Sequence, residues 1–171
     1  VRDDFGWEIP VESVPVPSRG VVYPAGSALH GKETIEIRAM TAREEDILTS
    51  NALIKKGLVI TTLLDSVIIN KDISTSNMLM GDRNALMIAT RITGYGSEYP
   101  AEVTCPACSA RQEYQFDLAD LPIKRLEIDP VSPGQNLFEF DLPITKKTVV
   151  FKFLTGNEEE NLEESNKRRK K

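Results

Sequence analysis

Two cysteines three positions apart, Cys105-Pro106-Ala107-Cys108, are the residues of this chain whose type and spacing most readily carry chemistry. Segments that alternate like strands, Glu98 to Thr104 and Gln112 to Leu118, flank them. That arrangement fits a zinc knuckle, a tight turn that aims two thiolates the same way at the ~2.3 Å of a Zn–S bond. A closed structural site takes four ligands, and the sequence holds Cys 2 and His 1. Three readings therefore stand for Cys105 and Cys108. His30 and a carboxylate complete a metal site within the chain, a second subunit supplies the same pair, or the turn binds nothing. A redox dithiol fits less well, because such pairs sit at a helix start, where the dipole lowers the thiol pKa. Catalytic zinc fits worse still, with no second ligand pair or obvious general base. The single histidine excludes a multi-histidine metal site or a histidine dyad within one chain. The patterns G-x-x-x-x-G-K-[ST], G-x-G-x-x-G and G-x-S-x-G are absent. Nothing positively marks an enzyme.

The remaining candidates suit recognition rather than reaction. Phe5 and Trp7 are large apolar anchors near the N-terminus. They fold back onto the chain's own core, or an extended arm carries them to a neighbouring subunit. Asp82 and Arg83 read as a helix start with a local ion pair, or as an interface contact. Tyr95, Tyr99 and Tyr114 read as hairpin-surface tyrosines suited to a partner, or as core. Arg43, Glu44, Glu45 and Asp46 read as a capped, solvated helix start.

The elements that would position these residues follow from periodicity and punctuation. Residues 1–28, with Pro10, Pro15, Pro17 and Pro24, read as an extended arm, because proline fixes φ and removes donors. Within it, Val11 to Val16 is demoted by its prolines to an edge or extended segment. Residues 29–96 read as a strand, Lys32 to Met40 with Ile35 and Ile37 on one face, followed by a helical core. Thr41 and Glu44 form a capping box, and Lys55 and Lys56 before Gly57 give a C-terminal signature. Leu58 to Asn70 allows a buried strand or a buried helix; Val59, Leu63 and Val67 at i, i+4, i+8 favour the helix. Asp82 caps a further helix that buries Ala85, Leu86, Ala89 and Ile92, and Gly94, Tyr95 and Gly96 stop it. Residues 97–155 read as β-hairpins around the Cys pair, the second from Leu137 to Leu142 and Thr148 to Leu154. Residues 156–171 read as a charged helix or tail, with Glu163 to Lys167 and Glu164 to Arg168 as i,i+4 pairs and Leu162 alone as an anchor. The fold class expected is α+β: a small helical unit followed by β-hairpins with a CxxC knuckle, and an extended N-terminal arm.

Composition sets the outer limits. The 171 residues carry a formal net charge of −5, 40% hydrophobic and 27% charged. These are globular values, with enough apolar residues to argue against wholesale disorder. The acidic balance opposes nonspecific coating of nucleic acid. No apolar run reaches the roughly 18 residues of a membrane span. The opening Val1-Arg2-Asp3-Asp4 lacks the basic-then-apolar form of a signal peptide. With no Met first, it reads as a processed product or part of a longer chain.

Several segments together resemble the baseplate proteins of T4-type contractile-tailed bacteriophages. They are Glu36 to Leu48, Leu53 to Gly57, Gly81 to Ala89, Arg91 to Gly96, the Cys105 to Cys108 knuckle and Phe116 to Leu118, spanning roughly residues 20–155. The resemblance implies a non-enzymatic part of the tail baseplate, or a factor needed to build it. Its partners would be other baseplate or tail proteins, with a homo-oligomer as a further option, in the virion and in host cytoplasm during assembly. It brings no catalytic residues and decides nothing about zinc. The alternatives are a transient assembly chaperone and a zinc-knuckle nucleic-acid module.

Overall fold

Two segments rich in β-branched residues start the core. The computed structural model describes residues 2 and 6–169, except the side chains of Glu163, Glu164 and Lys167. Phe5 and the two expected ion pairs at 163–168 therefore lie outside the described residues. Strands β1 (Val11–Pro15) and β2 (Thr34–Arg38) pair antiparallel, with Val14 opposite Ile35. Alternation turns Ile35 and Ile37 inward. With only two strands in the sheet, β1 is an edge strand, a place that tolerates Pro15. Residues 11–29 are not a free arm, however. Val14, Val16, Val22, Tyr23 and Leu29 are buried in the same core as β2 and the helices. The reason is apolar content: these valines recover more by burial than the prolines forfeit in ladder bonds.

The helical unit follows the expected order with one break. Helix α1 (Ala42–Thr49) and helix α2 (Asn51–Lys56) are separate, because Ser50 takes an extended conformation at φ −68, ψ 105. The sequence Thr49-Ser50-Asn51 explains the interruption. These residues prefer bonds to nearby backbone, and the Thr49 hydroxyl donates to the carbonyls of Glu45 and Asp46 at 3.0 and 3.4 Å. Gly57 ends α2 at φ 72, the left-handed region open to glycine, and its N–H caps the turn. Helix α3 (Val59–Val67) buries Leu63, Leu64 and Val67, so the helical reading of this apolar run holds. Beyond it, Ile68 bridges Ile37, and a single 3₁₀ turn spans Thr75–Asn77. Helix α4 (Met80–Tyr95) buries Leu86 and Ala89 and packs on α3 and β1. Its N-cap is Leu79, not Asp82, and Gly94 lies inside it.

Two hairpins and a last helix complete the chain. Strands β3 (Glu98–Thr104) and β4 (Arg111–Asp117) form one two-stranded sheet; β5 (Phe138–Asp141) and β6 (Thr148–Phe151) form another. The second is rooted in the core by Phe138, which packs against Phe151 and Phe153. Helix α5 (Gly156–Arg169) is anchored at its N-terminal end, not through Leu162, which is exposed. Thr155 and Glu158 repeat the Thr41–Glu44 arrangement: the Glu158 carboxylate accepts from the Thr155 N–H at 2.9 Å. Thr61 donates to Glu160 at 2.9 Å, and the Gly156 N–H donates to the Met78 carbonyl at 3.0 Å. A Cβ at Gly156 would overlap the Arg83 guanidinium.

Candidate functional site

The β3–β4 hairpin carries both the cysteine pair and an exposed aromatic face. Its register places Tyr99 opposite Phe116 and Ala101 opposite Tyr114. Alternation gathers Tyr99, Val103, Tyr114 and Phe116 on one side, and Glu98, Glu102, Glu113 and Asp117 on the other. The Tyr114 and Phe116 rings lie 4.6 Å apart at 57°. No core element covers this face: Tyr114 is 59% exposed, and Tyr99, Val103 and Phe116 are exposed with it. The same pattern recurs on the outer part of β5–β6, where Phe140 and Val149 are paired and exposed. The loop beyond them carries Ile144, 91% exposed.

At the hairpin tip the chain reverses through Cys105-Pro106-Ala107-Cys108-Ser109-Ala110. The Cys105 N–H donates to Ala110 O, and the Ser109 N–H to Cys105 O, both at 2.8 Å. Ser109 sits in the left-handed region at φ 58, uncommon for a non-glycine residue. The N–H groups of Cys108 and Ala107 and the Cys108 thiol, in that order, hold the Cys105 thiol pKa below its ordinary value, against a small opposing effect of burial. Neither cysteine is in a disulfide. Among the described residues, no group of three or more His, Cys, Asp or Glu is placed to hold a metal. His30 does not join the pair; its Nδ1 lies 2.6 Å from the Tyr23 carbonyl oxygen and so braces the N-terminal loop. The tip presents two free thiols, with no third such group placed beside them among the described residues.

The other candidate residues divide between surface and interior. Trp7 is 74% exposed near the N-terminus. Tyr95 is exposed at the end of α4, with the Arg91 guanidinium 5.0 Å from its ring centroid. Asp82 and Arg83 lie inside the subunit. Asp82 is 1% exposed and ties the N-terminal segment to α4, accepting from the Ser18 N–H at 2.9 Å, the Ser18 hydroxyl at 2.6 Å and the Tyr23 hydroxyl at 2.5 Å. Burial raises the Asp82 pKa in spite of these donors. The Tyr23 pKa is raised well beyond its ordinary value by burial and then by Asp82, so Tyr23 stays a donor. Arg83 donates to Thr61 at 3.0 Å and faces Glu160 at 3.9 Å.

A second buried carboxylate escaped the sequence reading. Glu44, expected in a solvated helix start, is 0% exposed. It accepts from Arg38 at 2.7 and 3.0 Å, from the Thr41 N–H and hydroxyl at 2.9 and 2.7 Å, and from Ser66 at 2.6 Å. Burial alone would raise its pKa. The donors from Arg38, Ser66 and Thr41 outweigh that and hold it well below the ordinary carboxylate range. The capping box was legible; the convergence of Arg38 and Ser66 depends on the β2–α1–α3 packing and was not.

An apolar groove of about 420 Å³ between β1, α4 and residues 118–124 is lined by Val14, Ile88, Ile92, Leu121 and Ile123 among others.

No curated protein and no solved structure matches the chain. Residues 25–136, from the end of the N-terminal segment through the helical unit and the cysteine hairpin, match the family described as T4 bacteriophage base plate protein. The chain belongs to that family.

Proposed function

We propose that the chain is a resident structural subunit of the tail baseplate that binds neighbouring tail proteins and stays bound in the finished particle. The observation that carries this reading is the pair of hairpins projecting uncovered aromatic and aliphatic side chains from a well-filled core. Tyr99, Val103, Tyr114 and Phe116 share one face, and Phe140, Val149 and Ile144 extend another. Soluble monomers rarely leave such contiguous patches open, and tyrosine and phenylalanine are enriched where proteins meet. An isolated two-stranded hairpin is marginally stable in water, so a neighbour that covers the apolar face also stabilises the ladder. Trp7 and Tyr95 add contacts in this reading. Asp82 and Arg83 serve it from inside, by fixing the N-terminal segment and α5 against α4.

Binding of this kind needs no catalytic group, in keeping with a non-enzymatic role. Assembly would take place in the host cytoplasm. Quantitative mass spectrometry of purified phage particles tests the proposal by counting the chain against a known tail protein. A fixed multi-copy ratio is expected. Absence from particles, with abundance in the producing cell, would overturn residence and identify a transient assembly chaperone.

A further inference from the structure

The hairpin tip has a feature that partner docking alone does not require. The turn from Cys105 to Ala110 is closed by two backbone bonds of 2.8 Å. It also holds Ser109 in a left-handed conformation that non-glycine residues seldom adopt. The reversal brings Cys105 and Cys108 together at the exposed end of the ladder, the knuckle arrangement that presents two sulfur donors from one turn. Both cysteines are unpaired, and no third donor is in reach among the described residues. The tip thus presents two of the four donors that a closed tetrahedral zinc site takes.

We propose that a second copy of this chain supplies the other half, so that Cys105 and Cys108 of two subunits together hold one Zn²⁺. A two-fold axis through the metal turns one thiolate pair into a Cys₄ set, the closed arrangement of structural zinc. The tip suits a second copy of itself in size and charge. Pro106, Ala107, Ser109 and Ala110 are small, uncharged and exposed, so two knuckles can approach without the repulsion that a net charge of −5 per chain would impose elsewhere. Tip-to-tip contact leaves the aromatic face further along the ladder open to other neighbours.

The test uses the full chain, reduced and stripped of metal, then titrated with Zn²⁺. Native mass spectrometry reads metal content, and sedimentation reads mass. One zinc per two chains is expected, with dimers that appear on zinc addition and dissociate on chelation. Co²⁺ in place of zinc should give the intense visible absorption of a tetrahedral tetrathiolate site. The double variant Cys105→Ser, Cys108→Ser should keep the circular dichroism and melting of the metal-free chain, since the tip lies outside the core, and lose both metal and zinc-dependent dimerisation. Three results would overturn the proposal: no retained zinc, one zinc per chain without a change in mass, or zinc-dependent dimerisation that survives the double substitution. The experiment needs no phage particle, so its outcome is independent of whether the chain resides in the baseplate.

Discussion

Glu44 is the residue on which the packing of three elements turns. It draws five hydrogen bonds from Arg38 on β2, Thr41 at the α1 cap and Ser66 on α3. Replacing it by glutamine removes the charge and leaves the Arg38 guanidinium without its ion partner. Glu44→Gln should lower unfolding free energy by about 3 kcal/mol, the low end for breaking a buried pair because Arg38 keeps some solvent contact. Urea denaturation measures it. The pH dependence has a definite sign. Glu44 has a folded pKa below its unfolded one, so its stabilisation is complete above the ordinary glutamate range and is lost as pH falls through that range toward the folded value. The gap between wild type and Glu44→Gln should therefore narrow on acidification; a constant gap would refute the assignment. Asp82 runs the other way. Its pKa is raised, so its contribution is fully present below the ordinary aspartate range and declines as pH rises through its folded value. The sequence exposed half of this chemistry. Thr41 and Glu44 are spaced for a capping box, but Ser66 is far along the chain and reaches Glu44 only once α3 packs on α1. Asp82 was legible as an N-terminal helix residue. Its donors Ser18 and Tyr23 lie in a segment whose prolines argued for an arm.

At the scale of elements, local signals located most helices and strands, and long-range burial decided the rest. Strand β2, the α2 stop at Gly57, helix α3 and both hairpins follow from periodicity and turn residues. The failures have a common cause. Residues 11–29 have a poor ladder sequence, yet their valines fill the core; Leu162 is the apolar residue of α5, yet polar contacts dock the helix. In each case a tertiary contact outweighs the local preference. The α5 attachment gives a direct prediction. Gly156 rests on Arg83 with no room for a Cβ, so Gly156→Ala must displace the guanidinium or the helix. A loss of about 1–3 kcal/mol is expected, typical of overpacking. Limited proteolysis should show earlier cleavage within α5, while fragments from residues 30–95 stay protected. Unchanged proteolysis would mean that α5 docks by some other contact.

The whole molecule is a filled core with uncovered hairpins. The core joins β1, β2, α3, α4 and Phe138. The β3–β4 hairpin stands outside it, with one apolar face, one acidic face and the cysteine tip. The Cys-x-x-Cys spacing and strand alternation made this hairpin legible in the sequence. That its aromatic face is left uncovered was not legible, because alternation alone cannot tell a face against the core from one awaiting a neighbour. The proposed function gives that face a role: if the chain resides in the baseplate, a neighbour covers it in the assembled tail. Hydroxyl-radical footprinting of Tyr99, Tyr114 and Phe116, in the free chain and in intact phage particles, tests this most directly. The account predicts strong labelling of all three in the free chain and marked protection in the particle, with exposed acidic residues on the opposite face as the internal reference. Equal labelling in the two states would contradict it.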